Sequence, residues 1–179
     1  MDALNKHMMY VAEVCRVLGM SYGLEKTEMQ QLELAASYHD IGKKQINPKL
    51  FNRKRKLTKQ EYEIVKTHSA IGAEMLRTCQ FEEDIILAVR YHHEWWNGQG
   101  YPEGLKEEEI PLFARIIAVA DAYTAMTTDR PYRKALTSYH ALEELLRCSG
   151  TQFDRGIVKL LLGVCKEYGI SDYTELMTR

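Results

Sequence analysis

Seven side chains spread along this sequence share one chemistry: His7, His39, Asp40, His68, His92, His93 and Asp121. A lone histidine is ordinarily a core or surface residue. Most of these, however, lie at the end of a helical segment or among apolar neighbours, where an unpaired imidazole is costly. Asp121 interrupts the apolar run RIIAVADAY, where a carboxylate is unexpected unless it is paired, capped or coordinated. Imidazoles and carboxylates from facing helices are the material of metal sites in helical bundles. The mixed nitrogen and oxygen set favours iron or manganese, with zinc or nickel as alternatives, over calcium or a thiophilic metal. An ordinary mononuclear site takes three or four protein ligands, so the number of candidates points to two divalent transition metals. Neighbours on a helix differ in direction by about 100°. One member of His39-Asp40 or His92-His93 can therefore approach one ion while the other approaches a second. His140 falls outside the set and reads as a surface residue.

Helices must position these groups. Leu4, Met8, Val11, Cys15 and Leu18 recur at spacings of three and four, the mark of one helix face. Gly19 and Gly23 are expected to stop that helix. A second helix carries Met29, Leu32, Leu34, Ala35 and Ala36 to His39 and Asp40. A loop follows from Gly42 through Asn47-Pro48, and its basic run Asn52 to Lys56 reads as solvated. Thr58 followed by Glu61 has the spacing of a capping box, which starts a third helix through His68 to about Cys79. The fourth runs from Glu82 to His93 and is broken by the glycines at 98, 100 and 104. Pro111 suits the first turn of a fifth helix through Asp121 to Met126. The acidic run Glu107 to Glu109 fits charge near its N-terminus. Two more helices are expected over roughly Ser138–Ser149 and Asp154–Tyr168. The fold class is all-α, a bundle of about seven helices in a single domain over 1–179. Its motif-bearing part covers about 7–154 and the C-terminal helices 154–179.

A length of 179 residues suits one domain. The formal charge of −1 carries no footprint of a nucleic acid polymer, so a nucleotide would have to be held by a local site. No apolar run approaches the ~20 residues of a membrane span, and the N-terminus lacks a signal-peptide core. A cytoplasmic location away from the membrane is expected. Cys15, Cys79, Cys148 and Cys165 form no CxxC pair, sit in apolar-periodic segments and read as buried free thiols.

Five stretches occur in a telling order: HDIGK at 39–43, HSAIG at 68–72, HHEWWNGQGYP at 92–102, ARIIAVADAY at 114–123 and RPYRKA at 130–135. The set resembles the HD-GYP group of the HD phosphohydrolase superfamily, from His7 to about Asp154. HD alone is a weak signal, but the ordered set with GYP and RPY is specific. The resemblance implies a helical HD-domain bundle with a non-haem centre, often of iron or manganese. It also implies a phosphodiesterase that hydrolyses cyclic dinucleotides, chiefly cyclic di-GMP, to the linear dinucleotide or GMP. Matched residue by residue, His7, His39, Asp40, His68, His92, His93 and Asp121 occupy metal-ligand positions. Lys43 completes the HD-x-x-K element beside Asp40, close to the metals and the substrate. Arg130 and Arg133 stand where the group has basic residues that hold the substrate phosphates. Gly100 and Tyr101 belong to the GYP segment, with Tyr101 facing the nucleotide.

The sequence also departs from the group's pattern. Ala3 stands where trinuclear members carry a glutamate, so two metals are expected. Asn97 and Gln99 replace the usual aspartate and serine of the loop, Thr124 an often acidic residue, and Arg53-Lys54-Arg55 the usual K-P-G. None of these removes a ligand; they bear on substrate preference and turnover. Trp95, Trp96 and Tyr101 offer faces on which a guanine could stack, at ~1–3 kcal/mol per base, or they pack the loop against the domain. Glu94 either orients a ligand histidine or caps the helix.

The expected chemistry follows from two metals ~3.5–4 Å apart, which lower the pKa of a shared water and neutralise the phosphodiester. The resulting bridging hydroxide attacks phosphorus in line, opposite the ribose 3′ oxygen, where Lys43 stabilises the developing charge. The planar forks of Arg130 and Arg133 suit phosphate oxygens. The alternatives are another phosphohydrolase or nucleotidase of the superfamily, and a cyclic dinucleotide sensor that does not cleave. A homodimer, and a regulatory domain or protein outside this chain, complete the expected partners.

Overall fold

A computed structural model of the chain describes residues 2–51, 55–129 and 134–167. Seven α-helices make up the fold among the described residues. They are α1 (Ala3–Tyr22), α2 (Lys26–Tyr38), α3 (Lys59–Thr78), α4 (Glu83–Tyr91), α5 (Leu112–Thr127), α6 (Ser138–Arg147) and α7 (Arg155–Glu167). Short 3-10 turns lie at Ile41–Gln45, Pro48–Leu50 and Glu107–Glu109. No described helix is long and apolar enough to cross a membrane.

α5 is the central element because its apolar run leaves little polar surface to solvate. It buries Phe113, Ile116, Ile117, Val119, Ala120 and Tyr123 and packs against α1, α4, α6 and α7. α1 also lies along α2 and α7, while α4 fits among α2, α3 and α5. Val11, Leu18, Leu32, Ile86, Leu145 and Leu161 complete the core.

Helix ends explain where the chain turns. Thr58 and Glu61 form the reciprocal capping box that their spacing predicts: Glu61 N–H donates to Thr58 Oγ1 at 3.2 Å and Thr58 N–H to Glu61 Oε2 at 2.9 Å. Gly19 does not stop α1. It lies buried inside that helix against Met29 and Leu32, and the stop is Gly23, at φ 88°, whose N–H returns to the Gly19 and Met20 carbonyls. Pro111 precedes the first turn of α5 as its cap residue, rather than sitting within that turn. Glu109 turns back to accept from Lys106 N–H at 3.1 Å, so the acidic run closes a turn of its own. α2 and α4 end at Tyr38 and Tyr91, short of the histidine pairs expected inside them. Of the four cysteines, Cys15 and Cys165 are buried, Cys148 is half-buried and Cys79 is exposed. Cys79 corrects the reading of uniformly buried thiols, because it caps α3 where the chain turns outward.

Candidate metal centre

The HDIGK and HSAIG segments are joined by a close approach of backbones. A Cβ on Gly42 would stand 2.0 Å from the His68 carbonyl oxygen and 2.7 Å from Gly72 N. Only glycine lets the turn after Asp40 lie directly on α3 at His68. That approach brings Asp40 Oδ1 within 3.2 Å of His68 Nε2 and 4.0 Å of His92 Nε2. Its other oxygen, Oδ2, faces His39 Nε2 at 3.4 Å, His7 Nε2 at 3.9 Å and Lys43 Nζ at 2.5 Å. Asp121, from the middle of α5, reaches His7 Nε2 at 2.9 Å.

The side chains fall into two sets whose donor atoms lie within 4.8 Å of one another: Asp40, His68, His92 and His93, and His7, His39 and Asp121. His39 and Asp40 belong to different sets, as adjacent residues of different direction can. His92 and His93 do not divide; both join the set around Asp40.

Three histidines are oriented in the same way. Nδ1 of His39, His68 and His92 lies 2.8, 2.7 and 2.7 Å from the carbonyls of Ala36, Val65 and Val89, each three residues back. A carbonyl only accepts, so each Nδ1 carries the proton and each Nε2 presents a lone pair. Those three Nε2 atoms and Asp40 Oδ1 are buried without a hydrogen-bond partner. Such orphans are costly in a protein interior, and a cation that accepts lone pairs satisfies them together.

Electrostatics agree. Burial would raise the Asp40 carboxyl, but Lys43, His39 and His68 outweigh it and hold the pKa well below the usual range. Asp121 is likewise held far down, its burial outweighed by His7 and His39. Burial, joined by the charges of His93, His39 and His68, pushes His92 well down, and burial with His68 brings His93 to about 3. His39 is raised, because the neighbouring Asp40 outweighs its burial. Two ionised carboxylates therefore stand beside His92 and His93, which are held neutral, and this mixed nitrogen and oxygen set fits divalent transition cations.

The loop after His93 is fastened from beneath. Glu94, 3% exposed, accepts on Oε1 from the N–H groups of Glu103 at 2.7 Å and Gly104 at 2.9 Å. It therefore neither orients a histidine nor caps α4; it clamps the two ends of the glycine loop. Gly100 lies so near the chain that a Cβ would stand 2.2 Å from Trp95 N. Tyr101 N–H donates to the His93 carbonyl at 3.1 Å, and its ring lies over His93 at 4.8 Å and 30°. Burial raises the Tyr101 phenol, which stays protonated. Trp96 lies under the Arg115 guanidinium at 5.8 Å, and Arg115 pairs with Asp154 at 2.7 Å, so Trp96 packs the loop against α5.

All seven ligand candidates and Lys43 therefore converge, with Gly100 and Tyr101 beside them. Arg130 and Arg133 lie outside the described residues. Asn97 and Gln99 are exposed on the loop, and His140 is exposed and bonded to Thr137 at 2.7 Å. Reading by residue type missed Lys66 and Tyr62, whose side chains meet Tyr101. Lys66 is two residues from His68, a spacing that does not share a helix face and gave no signal.

The chain belongs to the HD domain family, whose model matches residues 1–157. It is similar to the cyclic di-GMP phosphodiesterase response regulator RpfG of Xanthomonas campestris pv. campestris, 39% identical over 155 residues, which covers 85% of this chain and 41% of that protein. It is also similar to the 3′3′-cGAMP-specific phosphodiesterase 2 of Vibrio cholerae, 35% identical over 161 residues, covering 87% of this chain and 30% of that one. The chain thus spans less than half the length of these relatives. Among solved structures, an HDG"Y"P protein from Bdellovibrio bacteriovorus superposes with a TM-score of 0.75 at 21% identity, over 92% of this chain and 53% of that one. A cyclic GMP-AMP specific phosphodiesterase of V. cholerae gives 0.70 at 22% identity, over 96% and 48%. At those identities they speak for the fold.

Proposed function

We propose that the chain is a metal-dependent phosphodiesterase that opens a cyclic dinucleotide, cyclic di-GMP first, to the linear dinucleotide or GMP. The observation that carries this reading is Asp40, whose two oxygens face two separate sets of imidazole donors. His7, His39 and Asp121 would hold one divalent ion, His68, His92 and His93 another, and Asp40 both. Iron or manganese suits the donors best. When bound, a metal pair supplies an activated water and neutralises phosphate charge. The rest falls to the chain. Lys43, held at 2.5 Å by Asp40 and with its Nζ 5.9 Å from the Phe51 ring, would give a proton to the departing ribose 3′ oxygen. Tyr101 would line the nucleotide side of His93, and Arg130 and Arg133 would take phosphate oxygens. Relatives named for cyclic di-GMP and for cGAMP support the substrate class.

The test is metal analysis of anaerobically purified protein together with chromatography of its products from cyclic di-GMP and cyclic GMP-AMP. His39→Ala and Asp40→Ala are expected to lose metal and hydrolysis. If the metal-loaded wild type leaves both substrates intact, the hydrolase reading fails and a sensor remains.

A further inference from the structure

Beside the candidate metal centre, on the side of His93 and next to Tyr101, lie Tyr62, Glu63 and Lys66, which the chemistry above does not use. Three rings step outward from the ligands: Tyr101 lies 4.8 Å from His93, and Tyr62 lies 6.5 Å from Tyr101 at 84°. Lys66 Nζ stands 5.5 Å from the Tyr62 ring and 5.7 Å from the Tyr101 ring. Both cation–π contacts hold the ammonium in the angle between the rings. Tyr62 is 48% exposed, so part of its side chain is accessible to a ligand. Lys66 also pairs with Glu63 Oε2 at 2.8 Å.

That pairing decides which chemistry the spot suits. With Glu63 beside it, the Lys66 ammonium adds little net charge, so a phosphate gains little there. The pair instead presents a donor next to an acceptor at the edge of an aromatic platform. Lysine donates to the O6 and N7 acceptors of guanine, and aromatic rings stack on any base. The carboxylate of Glu63 suits the N1–H beside O6. Adenine offers the ammonium N7 alone and its amino group to Glu63, so it lacks the O6 half of the two-acceptor contact that guanine gives a lysine.

We propose that Tyr62, Lys66 and Glu63 form a guanine seat that gives this centre a preference for guanine over adenine nucleotides. The ribose separates base from phosphate, so a base stacked on Tyr62 leaves its phosphate one step inward, at Tyr101 and the metal ligands. The proposal rests on the cyclic dinucleotide reading above and deepens it.

The test compares kcat/KM for cyclic di-GMP and cyclic di-AMP in metal-loaded wild type, Lys66→Met, Lys66→Arg and Tyr62→Ala. Binding of both ligands to the Asp40→Asn variant, with and without Lys66→Met, is measured by calorimetry. That second arm separates base recognition from loss of the hydrolytic reading, because it needs no turnover. Lys66→Met is expected to raise KM for cyclic di-GMP about tenfold, to change cyclic di-AMP far less, and to act on KM more than on kcat. Lys66→Arg should keep the preference, since arginine reads the same acceptors, and Tyr62→Ala should weaken both ligands. Equal losses for the two dinucleotides with Lys66→Met would mark a phosphate contact and overturn the proposal. No loss for either would mark a surface lysine and overturn it as well.

Discussion

Gly42→Ala probes the joint on which the centre is built. The new Cβ would meet the His68 carbonyl oxygen at 2.0 Å, Gly72 N at 2.7 Å and the His68 carbonyl carbon at 2.9 Å. All three are backbone atoms at the buried positions His68 and Gly72 of α3, so no side chain can swing aside. To reach the ~3.4 Å of ordinary contact, the turn carrying Asp40 must lift from α3 by more than 1 Å. Overpacking of this kind typically costs ~1–3 kcal/mol. The functional loss should be larger, because Asp40 Oδ1 moves away from His68 and His92, and a displacement of about 1 Å can cost ~100-fold in rate. Metal per chain, measured after dialysis, should fall together with a ~100-fold lower kcat, while circular dichroism stays helical. Gly163→Ala in α7 is the control, since its Cβ meets nothing within 4 Å. Alanine in a helix interior should there gain ~0.5–1 kcal/mol. A Gly42→Ala protein with full metal and unchanged turnover would refute the reasoning.

Three further outcomes are expected. Glu94→Ala leaves the N–H groups of Glu103 and Gly104 without their acceptor. Thermal and urea unfolding should show ~2–3 kcal/mol of lost stability, with a higher KM as the loop that carries Tyr101 loosens. In chelator, stability should fall as pH drops from about 6.5 towards 3. Across that window an unfolded histidine gains a proton while His93, at about 3, and the strongly lowered His92 do not. Each such proton contributes a slope of about 1.4 kcal/mol per pH unit. The raised His39 works in the opposite direction. Melting curves from pH 7 to 5 decide the matter, and a flat or rising midpoint contradicts it. A thiol reagent should label exposed Cys79, which lines an open cleft with Thr27 and Phe81, well before Cys15, whose thiol burial pushes up. Mass spectrometry of partly labelled protein reads the order.

Much of this was legible without coordinates. Seven helices were expected and seven are described; apolar residues at helical spacing marked α1, because burying a helix face requires that period. Thr58 and Glu61 marked a helix start because a cap is a local bond between near neighbours. Histidines and aspartates set among apolar residues marked the cluster that could hold metal, since such groups are costly in a core without partners. The ends of α2 and α4 were misjudged, because where a helix stops before a histidine pair depends on the turn that follows it. The division of the candidate ligands into two sets, with His92 and His93 on one side and Asp40 facing both, required the tertiary structure. So did the clamp of Glu94 on the glycine loop and the meeting of Lys66 with Tyr62 and Tyr101. Each of these depends on backbone carbonyls, amides and close approaches between segments far apart in sequence, and a backbone group carries no residue type to read. Side-chain chemistry therefore determined what the centre is made of, and backbone geometry decided which of those groups face one another.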